Sequence, residues 1–300
     1  LKARPFHPIL NAQEVMTKIS TGRESFQQLK KVDIGSNEIL RSFAVNSRGD
    51  IILLYDDKVT VMYSKGEHKD VVFPDTTETN VLVHEGLSVA VDNDDNVYAI
   101  RRRDVRDENG DTKYDFVLYA FDENYNIKNV CVLDFLHTGV WPFVKIAADK
   151  NQDLILLTNW NNQVYVCDNT GKLKFQFERD GDCLRSLSIS NNNDIMIVSD
   201  DRNAIYTYAT DGFVHSTIKL PVGHKAFKVA FHHSIYKIIF LTYVEKEDCL
   251  FLLSFSETGK LENLVFFCEK DPDVYLWNVE LKSHQSGPVA VRYGDGTTFL

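Results

Sequence analysis

Three groups of side chains in this sequence could do chemistry. His84 and His224 each stand five residues before an apolar run, at Val89 and Val229, and His137 stands nine before Ile146. Imidazoles converging from separate elements could hold zinc. The unequal spacing favours ordinary loop histidines. Asp107, Glu108, Asn109 and Asp111 crowd oxygen donors as calcium loops do, but Gly110 is misplaced for such a loop and no Glu closes it at position twelve. That stretch reads as a solvated hairpin tip, and no metal or other cofactor is expected. Arg101, Arg102, Arg103 and Arg106 form the one dense basic cluster. It could meet phosphates or an acidic partner, or be neutralised by Asp104, Asp107, Glu108 and Asp111. No G-x-S-x-G, phosphate loop, H-E-x-x-H or paired C-x-x-C occurs, and no Ser/His/Asp order singles out a triad. No catalytic residue is expected.

Composition narrows the setting. The chain has 300 residues, 44% of them apolar and 12% aromatic, enough for a large core rich in strands. Its net charge of −10 argues against broad phosphate binding. The charge is uneven: residues 1 to 41 hold seven Lys or Arg against four Asp or Glu, so the rest carries −13. Five cysteines, an odd number without C-x-x-C spacing, point to a reducing, cytoplasmic compartment. No signal peptide and no run of 18 apolar residues is present, so no membrane contact is expected. The chain reads as a fragment of something longer.

The elements that must carry these side chains repeat. "FAVNSRGDIILL" from Phe43, "VAVDNDDNVYAI" from Val89, "IAADKNQDLILL" from Ile146, "LSISNNNDIMIV" from Leu187 and "VAFHHSIYKIIFL" from Val229 share one pattern: a strand, a polar turn and a second apolar strand. "VELKSHQSGPVAV", anchored at Val279, is the most degraded copy. Each of the first five is followed by another strand pair, as in "VYVCDNTGKLKFQF". Four short strands per unit at a period near 45 predict a β-propeller. Six copies predict an all-β, six-bladed propeller of four-stranded antiparallel blades. The sixth copy stops after its second strand, so residues 1–34 are expected to supply its outer strands and residues 35–300 to form the propeller. Such closure removes free sheet edges.

"LTNWNNQVYVCDNTGKL" and "VSDDRNAIYTYATDGFV" resemble NHL repeats: Val89-Ala90-Val91-Asp92 and Asn96-Val97-Tyr98 fit the first two parts of that pattern, and Asn162-Gln163-Val164 and Asn203-Ala204-Ile205 stand where "NHRI" would be. The His and Arg of that segment are missing in every blade. "ARPFHPIL" at the start is similar to the lead into the NHL propeller of tripartite-motif ubiquitin ligases. The resemblance implies a partner- or RNA-binding module of such an E3 ligase, with zinc domains upstream; none of their Cys/His spacing is here, so this chain would not itself be the ligase.

The reading is a non-catalytic module that recognises a protein partner through one rim. The loops expected at that rim bring Arg101, Arg102, Arg103, Asn159, Trp160, Asp200, Arg202 and Tyr243 together. At least one of the three arginines should leave the sheet for solvent, and an Arg101→Glu, Arg103→Glu double substitution should fold normally. Trp141 and Trp277 also fall near strand ends. A metal-dependent propeller hydrolase or lyase using His84, His137 and His224 is the first alternative. RNA binding is the second, disfavoured by net acidity.

Overall fold

The computed structural model describes residues 31–32, 39–63, 66–74, 81–106, 109–136, 143–158, 163–178, 184–199, 204–272, 276, 279–284, 289–292 and 298–299. After β1 (Lys31–Val32), each blade uses four consecutive antiparallel strands, innermost first. Blade 1 is β2 (Ser42–Val45), β3 (Ile51–Leu54), β4 (Lys58–Met62) and β5 (His68–Val72). Blade 2 is β6 (Val81–Val91), β7 (Val97–Arg106), β8 (Thr112–Phe121) and β9 (Ile127–Val132). Blade 3 is β10 (Val144–Ala148), β11 (Leu154–Thr158), β12 (Gln163–Cys167) and β13 (Leu173–Glu178). Blade 4 is β14 (Leu184–Ile189), β15 (Ile195–Ser199), β16 (Ala204–Tyr208) and β17 (Val214–Lys219). Blade 5 is β18 (His224–His232), β19 (Lys237–Val244), β20 (Cys249–Ser256) and β21 (Leu261–Glu269).

The expectation of six such blades is corrected: five are complete. A composite closing sheet fills the remaining place, in the order β22 (Glu280–Ser283), β23 (Val289–Arg292), β24 (Thr298–Phe299) and then β1 from the other end of the chain. Its two inner strands have four residues each and its two outer strands only two. In the sequence, Pro288, Gly294 and Gly296 interrupt the alternation that sustains longer strands elsewhere. The C-terminal residues thus add a third strand that the repeat pattern did not predict. Lys31 and Val32 pair with Phe299 and Thr298; residues 1–30 lie outside the described residues.

Register fixes which residues are equivalent. Phe43 pairs with Leu53, Val89 with Ala99, Ile146 with Leu156 and Leu187 with Ile197, each ten residues on. Val229 pairs with Phe240, one further, which accommodates the extra residue of that turn. In the closing sheet it is Leu281 that pairs ten on, with Val291. The expected anchor at Val279 is therefore two residues early. A shift of two keeps every side chain on its own face, so alternation alone could not expose it.

The first turn of each of the first three blades is set by its opening Asn or Asp. Asn46, Asp92 and Asp149 each accept, through Oδ1, from backbone amides two and four residues on, at 2.8–3.0 Å. The fourth turn residue is left-handed: Gly49, Asp95, Gln152, and Asn193 in blade 4, have φ from 62° to 76°. These turns lace one face of the ring. Ser47 donates to Asp95 at 2.6 Å, Gln152 to Asp94, and Lys150 N to Asn193 at 3.1 Å, while His233 meets Asn191 at 2.9 Å. Between neighbouring sheets lie six apolar clusters, such as Ile155, Leu157, Val164 and Ile197 between blades 3 and 4. This explains the unbroken apolar runs "IILL" and "LILL": both faces of an inner strand are buried.

Candidate functional site

Among the described residues, blades 2 and 5 reach further than the others on the face opposite those laced turns. β6 begins eight residues before its anchor Val89, and β18 five before Val229, whereas β2, β10 and β14 begin one to three residues before theirs. Pairing in blade 2 continues outward to Val81↔Val105 and Arg106↔Thr112. In blade 5 it continues to His224↔Val244 and Cys249↔Glu269. Blades 2 and 5 lie opposite each other in the ring, so their raised ends form two walls across the channel mouth.

The basic cluster is part of the first wall. The charged stretch after "VYAI" is strand, not a looped insertion, because its charges are neutralised within the sheet. Arg101 is only 3% exposed, lies 4.1 Å from the Phe73 ring centroid and donates to the Asp56 carbonyl. Burial pulls its pKa below that of an ordinary guanidinium. Arg102 bridges Asp104 at 2.8 Å and Glu85 at 3.3 Å. Glu85 also takes Arg41 at 2.9 Å, and Arg41 forks onto Asp56 at 2.9 and 3.0 Å. Arg103 pairs with Asp115 at 3.1 Å. None of the three leaves the sheet, contrary to expectation: a strand lays alternate side chains along its faces, where carboxylates and rings take them up. This arginine network ties blade 1 to blade 2.

The second wall carries Tyr243, whose hydroxyl donates to Asp248 at 2.7 Å; that bond is the main cause raising its pKa to about 12. Lys225 pairs with Glu245 at 2.8 Å. His224 is buried, with Nδ1 3.0 Å from Thr242 Oγ1 and its ring edge-on to Phe251, and burial lowers its pKa. His84 lies on β6 opposite Arg103 in the first wall. Among the described residues no three His, Cys, Asp or Glu cluster as metal ligands would. His137, Asn159, Trp160, Asp200 and Arg202 lie outside the described residues, as do Asp107, Glu108, Trp141 and Trp277.

The channel between the walls holds charges that the sequence pattern did not single out. The residue before each anchor forms a ring: Ser42, Ser88, Lys145, Ser186, Lys228 and Glu280. Three of these side chains latch onto the next sheet. Ser88 accepts from Ile146 N at 3.3 Å, Ser186 from Val229 N at 3.1 Å, and Glu280 from Phe43 N at 3.2 Å, which closes the ring. Glu280 also accepts from Ser42 Oγ at 3.2 Å and from Lys145 Nζ at 2.6 Å. Burial alone would raise its pKa, but Lys145, Lys282 and Lys228 outweigh that and hold it at about 2. Lys228 is pulled down to about 7, chiefly by burial and then by Lys145, against the attraction of Glu280. Lys282, half-buried and lining the channel, falls to about 8, again chiefly through burial. The signal for this ring was a hydrophilic residue before every anchor. With the sixth anchor placed at Val279, Glu280 fell out of line.

No family model matches the chain, and no curated protein matches it. Many solved structures do. A protein of unknown function from Bacteroides caccae is 13% identical at TM-score 0.57, covering 78% of this chain and 84% of its own. A streptogramin B lyase is 12% identical at TM-score 0.56, covering 91% and 96%. A chain of the mitotic checkpoint complex is 12% identical at TM-score 0.56, covering 100% and 98%. At these identities the likeness shows the fold, a β-propeller, and nothing finer.

Proposed function

We propose that this chain is a non-catalytic recognition module that grips a protein partner between the raised ends of blades 2 and 5. The observation that carries this is the paired extension of β6–β8 and β18–β21 on one face, on opposite sides of the ring. Rigid sheet flanking a channel mouth is pre-organised for binding and orders little on contact. Arg102, Arg103 and Tyr243 stand on the walls; Asn159, Trp160, Asp200 and Arg202 belong to the intervening loops of the same reading. The checkpoint-complex likeness supports it in kind, since that propeller sits in an assembly. The NHL-like motifs support the finer reading, substrate recognition for a tripartite-motif-like ubiquitin ligase in the cytoplasm. A protein partner is favoured over RNA because Arg101, Arg102 and Arg103 are engaged within the domain and the net charge is −10.

A photo-crosslinking residue in place of Lys113, on the blade 2 wall, tests this, with Asn192 on the laced face as control. Both positions are exposed. In extracts of the native cell, a protein adduct is expected from position 113 and none from 192. An RNA adduct at 113, or equal protein adducts at both, would overturn the reading. One equivalent of zinc retained by the purified chain would favour the lyase or hydrolase alternative.

A further inference from the structure

The first turns of blades 1, 2 and 3 begin alike, but their Asn or Asp side chains end differently. In blade 1, Asn46 Nδ2 meets the hydroxyl of Tyr125, which reaches across from a turn of blade 2, at 3.0 Å. In blade 2, Asp92 Oδ2 accepts from Tyr98 Oη and Asn96 Nδ2, each at 2.9 Å, and the Tyr98 ring packs in the cluster between blades 2 and 3. In blade 3 the register puts Asp153 where Asn96 stands and Ile155 where Tyr98 stands. The turn of blade 4 that matches the Tyr125 turn has Gly212 at that place; both residues are left-handed and donate to the carbonyl three residues back. Neither phenol is therefore supplied between blades 3 and 4.

A cavity of about 230 Å³ lies there, lined by Asp149, Asp153 and Asn193 on one side and by Ile155, Phe175 and Ile195 on the other. Asp149 is 3% exposed. Its Oδ1 takes the amides of Asn151 and Asp153, both at 2.8 Å, and its Oδ2 receives no donor from the described residues. Lys174 is held by Asp153, so two carboxylates share one cation. A buried carboxylate oxygen without a donor is costly, and an ammonium group would satisfy it with a charge-assisted bond. A hard metal ion fits poorly, because the apolar side offers it no oxygen. The volume equals that of about seven waters at roughly 30 Å³ each, too small for a nucleotide or a peptide.

We infer that the cavity between blades 3 and 4 binds a small organic ammonium ion. Its charge sits on Asp149 Oδ2 and its apolar body lies against Ile155 and Phe175. This site is on the face of the laced turns, away from the walls, and does not depend on the recognition reading.

Titration calorimetry at neutral pH with benzylamine and butylamine, against benzyl alcohol as the uncharged counterpart of the first, tests this. One-site saturable binding is expected for at least one amine, at least tenfold tighter than benzyl alcohol. Asp149→Asn keeps the turn acceptor, as Asn46 does in blade 1, and should weaken the amine at least tenfold. Ile155→Tyr fills the cavity as Tyr98 does in blade 2, and should abolish binding in a folded protein. No saturable binding of either amine up to about 50 mM, weaker than a useful site, would overturn the inference. So would equal binding of benzyl alcohol, or amine binding undiminished in folded Asp149→Asn or Ile155→Tyr. If either variant fails to fold, the other variant and the comparison with benzyl alcohol on the unaltered protein decide the matter.

Discussion

Lys145 of blade 3 and Glu280 of the closing sheet come from opposite sides of the ring and meet 2.6 Å apart in the channel. The same carboxylate binds the Phe43 amide and the Ser42 hydroxyl of blade 1. One side chain from near the C-terminus therefore holds the first blade, the last sheet and the far wall of the channel together. Glu280→Ala would leave Lys145 uncompensated and two donors of blade 1 without their acceptor. It should destabilise the fold by about 3–5 kcal/mol, read by urea unfolding. The Lys145→Met, Glu280→Met double variant should be less damaged than Glu280→Ala, because Lys145 no longer stands without the carboxylate it pairs with. Equal losses would mean that the pair is not coupled.

The titrating groups give the stability curve a defined shape. Glu280 has a folded pKa near 2, below its ordinary value, so its contribution is present above about pH 4.5 and fades as pH falls towards 2. His232 and His233, held near 4 chiefly by burial, favour folding above their ordinary 6.5 and lose that contribution as pH falls from 6.5 to 4. Lys228 is depressed to about 7, so the unfolded chain binds more protons than the folded one between 7 and 10.5. Its share of stability must therefore rise with pH across that window. Melting temperatures should show the alkaline rise in the unaltered protein and a smaller one in Lys228→Met. Identical pH profiles would contradict the burial of Lys228.

Two turn glycines separate backbone strain from crowding. Gly66 and Gly171 have φ of 96° and 90°. An added Cβ at Gly66 meets nothing within 4 Å, whereas at Gly171 it would meet Cys131 Sγ and Leu133 of the neighbouring blade. Gly66→Ala should cost about 1 kcal/mol from the left-handed backbone alone. Gly171→Ala adds overpacking and should cost a further 1–3 kcal/mol or so. Thermal or urea unfolding of the two variants side by side checks the difference.

The burial of Arg101 changes what its substitution should do. Arg101→Glu would set a carboxylate against Phe73 and beside the Asp56 carbonyl, where the guanidinium now donates. A loss on the order of 3 kcal/mol or more is expected. Arg103→Glu, facing Asp115 at a partly exposed pair, should cost less. A double variant as stable as the parent would show that the arginines are not held as described.

The repeat was legible because each anchor begins an apolar strand that an Asn, Asp or Ser turn ends, from Phe43 to Leu187. The anchor of the closing sheet was not, since Val279 and Leu281 satisfy the same alternation and only pairing with Val291 distinguishes them. The walls were hidden for a different reason. "RRRDVRDENGDTKY" looks like a solvated loop by composition, yet it continues as sheet where Arg102 and Arg103 find Glu85, Asp104 and Asp115 on the same strand or its neighbours. Charges that neutralise one another across strands are invisible to a scan for hydrophobic alternation. The channel lysines escaped notice because no spacing along the chain shows that Lys145 and Glu280 face each other.

The most direct measurement of the recognition account places the photo-crosslinker on the other wall, at Lys246 of blade 5, and shortens blade 2. Replacing residues 104–114 by Asn-Gly joins Arg103 to Asp115, an existing cross-strand pair, through a two-residue hairpin. If the partner is gripped between the walls, the shortened protein should fold, and the protein adduct at position 246 should fall at least tenfold. A folded, shortened protein that gives the same adduct in undiminished yield would contradict the account.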